Sequence, residues 1–237
     1  MSSKKNPGRF VGLLYVLVSI PGAFALVYVP SKLIVDGNAT VTASNIAASE
    51  TLFRAGIACN LISQILFMWV ALALYDLLKG VNQRHASLML GLIVVSIPIA
   101  LLNELNAIAA LVLVRGADFL STFEKPKRDA LAMLFLNLHD HGFVVAEIFW
   151  GLWLFPLGLL VYRSGFLPRF LGVLLILDCF RYVVDSFTSI LLPQYADIVS
   201  RWMKPFSFGE LLFMFWLLIM GAKPNPSAGP ASSAAVG

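Results

Sequence analysis

Charge is what this chain has least of. Only 13% of its 237 residues are Asp, Glu, Lys or Arg, about half of the ~25% typical of soluble domains. Apolar residues make up 59%, and the mean hydropathy is +0.84. A soluble globular class is thereby excluded and an integral membrane protein indicated. Cysteine is nearly missing as well. Cys59 and Cys179 fall singly in different apolar stretches, so there is no disulfide framework, CxxC redox pair or zinc pattern, and each thiol acts as a small apolar side chain. A basic patch is also lacking. The net charge of +4 is scattered over the ends of apolar stretches, which suits membrane-flanking anchors and excludes nucleic acid as a partner. No long polar connection leaves room for a soluble domain. The sequon Asn38-Ala39-Thr40 has no other secretory feature beside it and carries no weight.

What is present is six apolar stretches, each long enough to cross a bilayer. The expected fold is therefore all-α, a polytopic membrane bundle of six transmembrane helices in one domain, 1–223. A disordered tail, 224–237, follows, rich in Pro, Ala, Ser and Gly. The first span runs from about Phe10 to Val29. It resembles a signal peptide with small residues at Ala23 and Ala25, but the apolar run continues past them to a full span of ~20 residues, bent by Pro21. The second covers about Ser49 to Leu78, with Asn45 and Ser49 as caps and Lys79-Gly80 as its stop. The third runs from Ala86 to Val114, the fourth from Leu131 to Tyr162 after the charged loop Asp118 to Arg128, the fifth from Phe166 to Leu192. The sixth is short, from Phe206 to Met220.

Six spans return both termini to one side. Lys4, Lys5, Arg9, Lys79, Arg84, Arg163, Arg169 and Lys223 fall on that side without acidic dilution, which predicts cytoplasmic termini in a bacterial inner membrane.

Acidic groups recur within the spans, where hydrocarbon makes charge costly, so each implies a buried partner, a wet cavity or a pathway. At ~1.5 Å of rise per residue, Glu50, Arg54, Glu104, Glu147, Asp185 and Glu210 all fall toward the outer half of the membrane. Their common depth predicts one polar cavity opening outward. Glu50 and Arg54, four apart, form an ion pair, either in that cavity or at the interface. Asp178, Arg181 and Asp185 share a helix face with Tyr182, and Asp178 with Arg181 is expected to be a structural ion pair. Glu104, Glu147 and Glu210 lack a cation on their own helix and need partners from elsewhere. Asp76 snorkels to the headgroups. In His139-Asp140-His141 the two histidines lie ~200° apart on a helix and cannot clasp one ion, so no metal site and no cofactor is expected. His139 remains a candidate for the cavity or for a proton relay. Phe149, Trp150, Trp153, Phe213 and Trp216 wall a pocket or face lipid.

The segments Arg9-Phe-Val-Gly12-Leu-Leu-Tyr15, Ala48-Ser49-Glu50-Thr-Leu52-Phe53-Arg54-Ala-Gly56 and Leu74-Tyr75-Asp-Leu77-Leu78-Lys79-Gly-Val81-Asn82 resemble an uncharacterised bacterial membrane family, domain of unknown function 4386. So do Leu138-His139 with Gly142, Tyr162-Arg163-Ser164-Gly165-Phe166-Leu167-Pro168-Arg169 running into Leu171-Gly172, Tyr182 with Asp185-Ser186, and Gly209-Glu210 with Leu217-Leu218-Ile219 and Gly221. The resemblance spans roughly Arg9 to Lys223 and implies a multi-pass membrane protein with no established activity. Glu50, Arg54, His139, Asp185 and Glu210 match the family pattern. Asp178 and Arg181 stand where it has small or apolar residues.

Three functions compete. The first is binding or transport of a small cationic or amphipathic molecule with Glu104, Glu147 and Glu210 as counter-charges. No inverted repeat supports transport. The second is a membrane-embedded enzyme acting on a lipid or isoprenoid through His139. No nucleophile motif supports it. The third is a structural or regulatory protein. Membrane lipids and a small-molecule ligand are the expected partners, and oligomeric state is left open.

Overall fold

The computed structural model describes residues 6–222. Lys4, Lys5, Lys223 and the tail 224–237 lie outside them. Ten α-helices follow one another: α1 (Pro7–Ala23), α2 (Val29–Leu33), α3 (Ala39–Ala48), α4 (Glu50–Leu78), α5 (Gln83–Arg115), α6 (Lys125–Leu152), α7 (Leu154–Arg163), α8 (Arg169–Leu191), α9 (Ala196–Met203) and α10 (Gly209–Ile219). Among the described residues there is no strand. The surface is strongly apolar: Leu102 is 65% exposed, Ile20 64% and Trp69 58%. A water-facing monomer does not sustain such a surface, and a lipid-facing one requires it.

Sequence signals set the helix ends. The Asn82 side chain accepts the His85 N–H at 3.0 Å to start α5, and Gly116 at φ 70° ends it in the left-handed conformation. Ser49 occupies the N-cap position of α4 without a side-chain cap bond. Asn45 instead donates to the Leu33 carbonyl at 3.2 Å, tying α2 to α3. Asn38 of the sequon caps α3 by accepting the Val41 N–H at 3.1 Å. Asn6 accepts from the N–H groups of both Gly8 and Ala222 at 3.1 Å. Arg9 donates to the Ile219 carbonyl at 3.0 Å, a cation at the C-terminal end of α10.

Among the described residues, five stretches are long and apolar enough to cross a membrane: Pro7–Leu33, Glu50–Leu78, Gln83–Arg115, Lys125–Arg163 and Pro193–Ile219. Five such stretches do not confirm the expected count of six, which turns on α8. α8 has the length, 23 residues, but carries Asp178, Arg181 and Asp185, so it can cross only by turning those groups inward. Pro193–Ile219 has the composition but is broken: two 3₁₀ turns and the amphipathic α9 precede an α10 of only 11 residues. At ~1.5 Å per residue α10 covers about half of a ~30 Å hydrocarbon core.

Two further irregularities matter. Between α1 and α2 the chain makes a π turn, Phe24–Tyr28, flanked by Pro21 and Pro30. Neither proline can donate a backbone hydrogen bond, and π turns concentrate at such gaps and at functional sites. α6 gives way to α7 at Trp153, just before Pro156.

Close packing joins α1 to α10. A Cβ on Gly12 would overlap the backbone of Leu217 and Leu218, so only glycine permits this approach. The buried apolar residues form two clusters. One fills the half of the bundle around Leu74, Met89, Leu157, Leu171 and Leu217. The other fills the opposite half around Val29, Ile46, Phe53, Leu111 and Leu136. Between them runs a layer of buried polar residues that includes Asn60, Gln64, Asn103, Glu104 and Asp178.

Candidate functional site

The polar layer holds two constellations. The first is built from α4, α5 and α6. Glu104 is 3% exposed, and its Oε1 accepts a short hydrogen bond from Asn60 Nδ2 and lies 3.0 Å from His139 Nε2. Asn103 Nδ2 donates to the His139 carbonyl at 2.7 Å and is in turn held by Asn106 at 3.0 Å. Gly142 makes this brace possible, because a Cβ there would collide with the Asn103 carboxamide. His139 packs edge-on against Phe143, whereas His141 is exposed and bonds the Asn137 carbonyl. The two side chains diverge, as their spacing requires. Asn60 Oδ1 has no hydrogen-bond partner among the described residues. A small cavity of about 70 Å³ lies against this group, between the π turn and α6.

The second constellation is centred on Glu210, in the first turn of α10. Tyr15 donates its hydroxyl to Glu210 Oε1 at 3.3 Å. Asp178 Oδ2 accepts the Glu210 backbone N–H at 3.3 Å, so a carboxylate from α8 meets the open N-terminus of α10, where anions are favoured. The other Asp178 oxygen accepts from Arg181 Nε at 2.8 Å, and Arg181 Nη1 reaches Asp185 Oδ2 at 3.4 Å. The guanidinium sits 3.7 Å from the centroid of the Tyr182 ring. Glu147, half-buried on α6, is within Coulombic reach of Arg181 and Asp185. Asp178 and Asp185 contact the guanidinium directly, while Glu147 and Glu210 make no ion pair with it, which leaves the region rich in carboxyl groups.

Two cavities adjoin Glu210 and Tyr182. One, about 390 Å³, is lined by Tyr15, Ser19, Asp178, Ser207 and Met214 and occupies the space that the late start of α10 leaves open. The other, about 150 Å³, has an aromatic wall of Phe67, Trp150 and Trp153 with Ser63 and Gln64. Gln64 Oε1 and Trp150 Nε1 have no partner among the described residues.

The expected single hollow is therefore divided. Glu104 and His139 belong to one constellation, and Glu147, Asp185 and Glu210 to the other. Leu26 of the π turn lines both the first cavity and the aromatic one. Glu50 and Arg54 line neither. They pair at 2.7 Å at the exposed start of α4, with Arg115 at 3.7 Å from Glu50. Asp178 and Arg181 do form an ion pair, and Asp178 adds the contact to α10 that spacing within one helix does not reveal. Asp76 is exposed and held by Lys79 at 2.6 Å. Asn60, Ser63 and Gln64 carry a signal that sequence reasoning passed over: at i, i+3 and i+4 they form a polar stripe in an apolar run.

No solved structure matches the chain. A relative in Archaeoglobus fulgidus, described as an uncharacterized protein, is 35% identical over 159 residues, 67% of this chain and 79% of its own length. That relative is archaeal, so the expected bacterial origin has no support from it. Residues 10–221 match the model of the family described as "Domain of unknown function (DUF4386)", nearly the whole described bundle, and the chain belongs to that family.

Proposed function

We propose that the protein binds a small organic cation in the acidic cavity beside Glu210. The observation that carries this reading is the surplus of carboxyl groups around one cavity in a bundle of apolar helices. Glu210 faces about 390 Å³ of open space with only a neutral tyrosine hydroxyl on its side chain. A cation bound beside this carboxyl would supply the counter-charge that lets it ionise. The aromatic wall on the far side of Tyr182 offers ring faces to the apolar part of such a ligand. A helix only about half a span long is the kind of element on which secondary transporters build their sites, which supports transport as the wider role. In this proposal both termini are cytoplasmic, the membrane is a bacterial inner membrane, and the cavity opens to the opposite side.

The test uses purified protein in lipid nanodiscs with tetrapropylammonium as probe. Binding is expected to change tryptophan fluorescence saturably and to weaken at least tenfold in Glu210→Gln, which keeps the contact to Tyr15. Equal response to a neutral isostere, or unchanged affinity in Glu210→Gln, overturns the proposal. The enzymatic alternative rests on His139 and Glu104, 3.0 Å apart, and demands turnover of extracted lipids that is lost in His139→Ala.

A further inference from the structure

The cavity of about 150 Å³ on the far side of Tyr182 differs in chemistry from the larger chamber, although Glu210 borders both. We propose that it seats the charged head of the cation, and that this head is a methylated, quaternary ammonium rather than an amine bearing N–H groups. The assignment rests on the cation binding proposed above and narrows it to one class of ligand.

Three observations converge. First, the wall is aromatic and drawn from separate helices: Phe67 of α4, Trp150 of α6 and Tyr182 of α8, with the Glu210 carboxyl of α10 beside them. All four residues are only partly buried, so each keeps surface open for a ligand. Second, the rings are already set. Phe67 meets the fully buried Trp153 at right angles with centroids 5.4 Å apart, and Trp150 lies 6.0 Å from Phe143. Little side-chain freedom remains to be lost on binding. Third, hydrogen-bond acceptors are scarce. A primary ammonium brings three N–H donors, each of which needs an acceptor once water is left behind. Gln64 Oε1 is itself shut inside the protein, out of a ligand's reach, and an indole only donates. Ser63, 6% exposed, commits its hydroxyl proton to the Val18 carbonyl at 3.3 Å. Glu210, one oxygen of which already accepts from Tyr15, is left as the principal acceptor. A quaternary head needs no acceptor: its methyl groups meet the ring faces and its charge meets Glu210.

Arg181 is the one cation nearby. It lies between Asp178 and Asp185, a trio of net negative charge, and its guanidinium sits 3.7 Å from the Tyr182 centroid. One face of Tyr182 is thereby taken, so Trp150 and Phe67 carry the selection.

The experiment uses the full chain in nanodiscs and two probes of equal charge and chain length, hexyltrimethylammonium and hexylammonium, titrated by calorimetry. The trimethylammonium probe is expected to bind about tenfold more tightly or better. Trp150→Leu keeps an apolar wall and removes the ring, and is expected to erase most of that difference. Phe67→Leu, on another helix, should act in the same direction. Should these variants fail to fold, the parent chain grown with fluorinated tryptophans keeps the ring shapes while weakening their faces. Affinity for hexyltrimethylammonium is then expected to fall stepwise with the number of fluorines, and affinity for hexylammonium to hold. Hexylammonium binding as tightly as the quaternary probe overturns the proposal, and so does a preference that survives in both leucine variants or in the fluorinated protein. In either case, saturable binding that is lost in Glu210→Gln leaves the acidic cation site standing. Absence of saturable binding by both probes overturns the two together.

Discussion

Arg181 is the residue that holds the carboxylates of α8. It holds Asp178 and Asp185 and covers the Tyr182 ring. Removing one partner of a buried ion pair costs about 3–5 kcal/mol, because the other charge is left stranded. Arg181→Met should therefore lose roughly that much stability, seen as a marked fall in thermal midpoint in detergent. Asp178→Asn, which keeps an oxygen for the Glu210 N–H, should lose less. Equal midpoints for Arg181→Met and the parent protein would remove the structural role. Gly142→Ala offers a second check. Its added methyl strikes Asn103, and overpacking of this kind costs about 1–3 kcal/mol. The same variant should also loosen His139, visible as a shift in its imidazole NMR signal. At this scale the sequence was legible only within single helices. The ladder of Asp178, Arg181 and Asp185 follows from spacing, and so does the divergence of His139 from His141. The partners that arrive from other helices, Glu104 for His139 and Tyr15 for Glu210, have no local signature, because helix pairing is decided by packing.

The long apolar elements were legible because composition and caps mark them. α4 and α5 lie within a few residues of expectation, although the expected caps Asn45 and Ser49 make no cap bond to α4 and Asn82 caps α5 instead. The irregular elements were not. α3 falls between the first two expected spans, in a stretch with no expected helix. The break at Trp153 and the π turn are consequences of Pro156 and Pro30, whose positions announce a disturbance but not its form. The shortness of α10 depends on Ser207, at φ −78° and ψ 4°, leaving helical geometry just before Gly209, which the largely apolar run around it conceals. Gly12 tests this part of the bundle. In Gly12→Ala the new Cβ overlaps backbone rather than a flexible side chain, so α10 must move as a body. We expect a loss of at least 1–3 kcal/mol, and accelerated hydrogen exchange confined largely to α1 and α10. Exchange raised evenly through the bundle would argue against a local hinge between the two.

At the scale of the whole molecule, the number of crossings turns on α8. With Cys59→Ser and Cys179→Ala as background, single cysteines can be placed at exposed positions and labelled from either side of a sealed vesicle. If α8 crosses, Phe119→Cys and Trp202→Cys react from one side and Arg163→Cys from the other. Trp202→Cys reacting together with Arg163→Cys would mean that α8 does not cross. A bundle with two apolar halves and a polar seam also explains why Glu104 and Asp178 are buried on separate helices: the seam is where neither half fills the space with apolar side chains. One consequence reaches from this interior to the outermost described residue. Asn6 clasps the start of α1 to Ala222, and Arg9 beside it holds the last carbonyls of α10. α10 is the floor on which Glu210 stands. Trimming the chain through Asn6 and Arg9, far from any carboxylate, should unfasten that floor and blunt the acidic chamber as effectively as altering Glu210 itself.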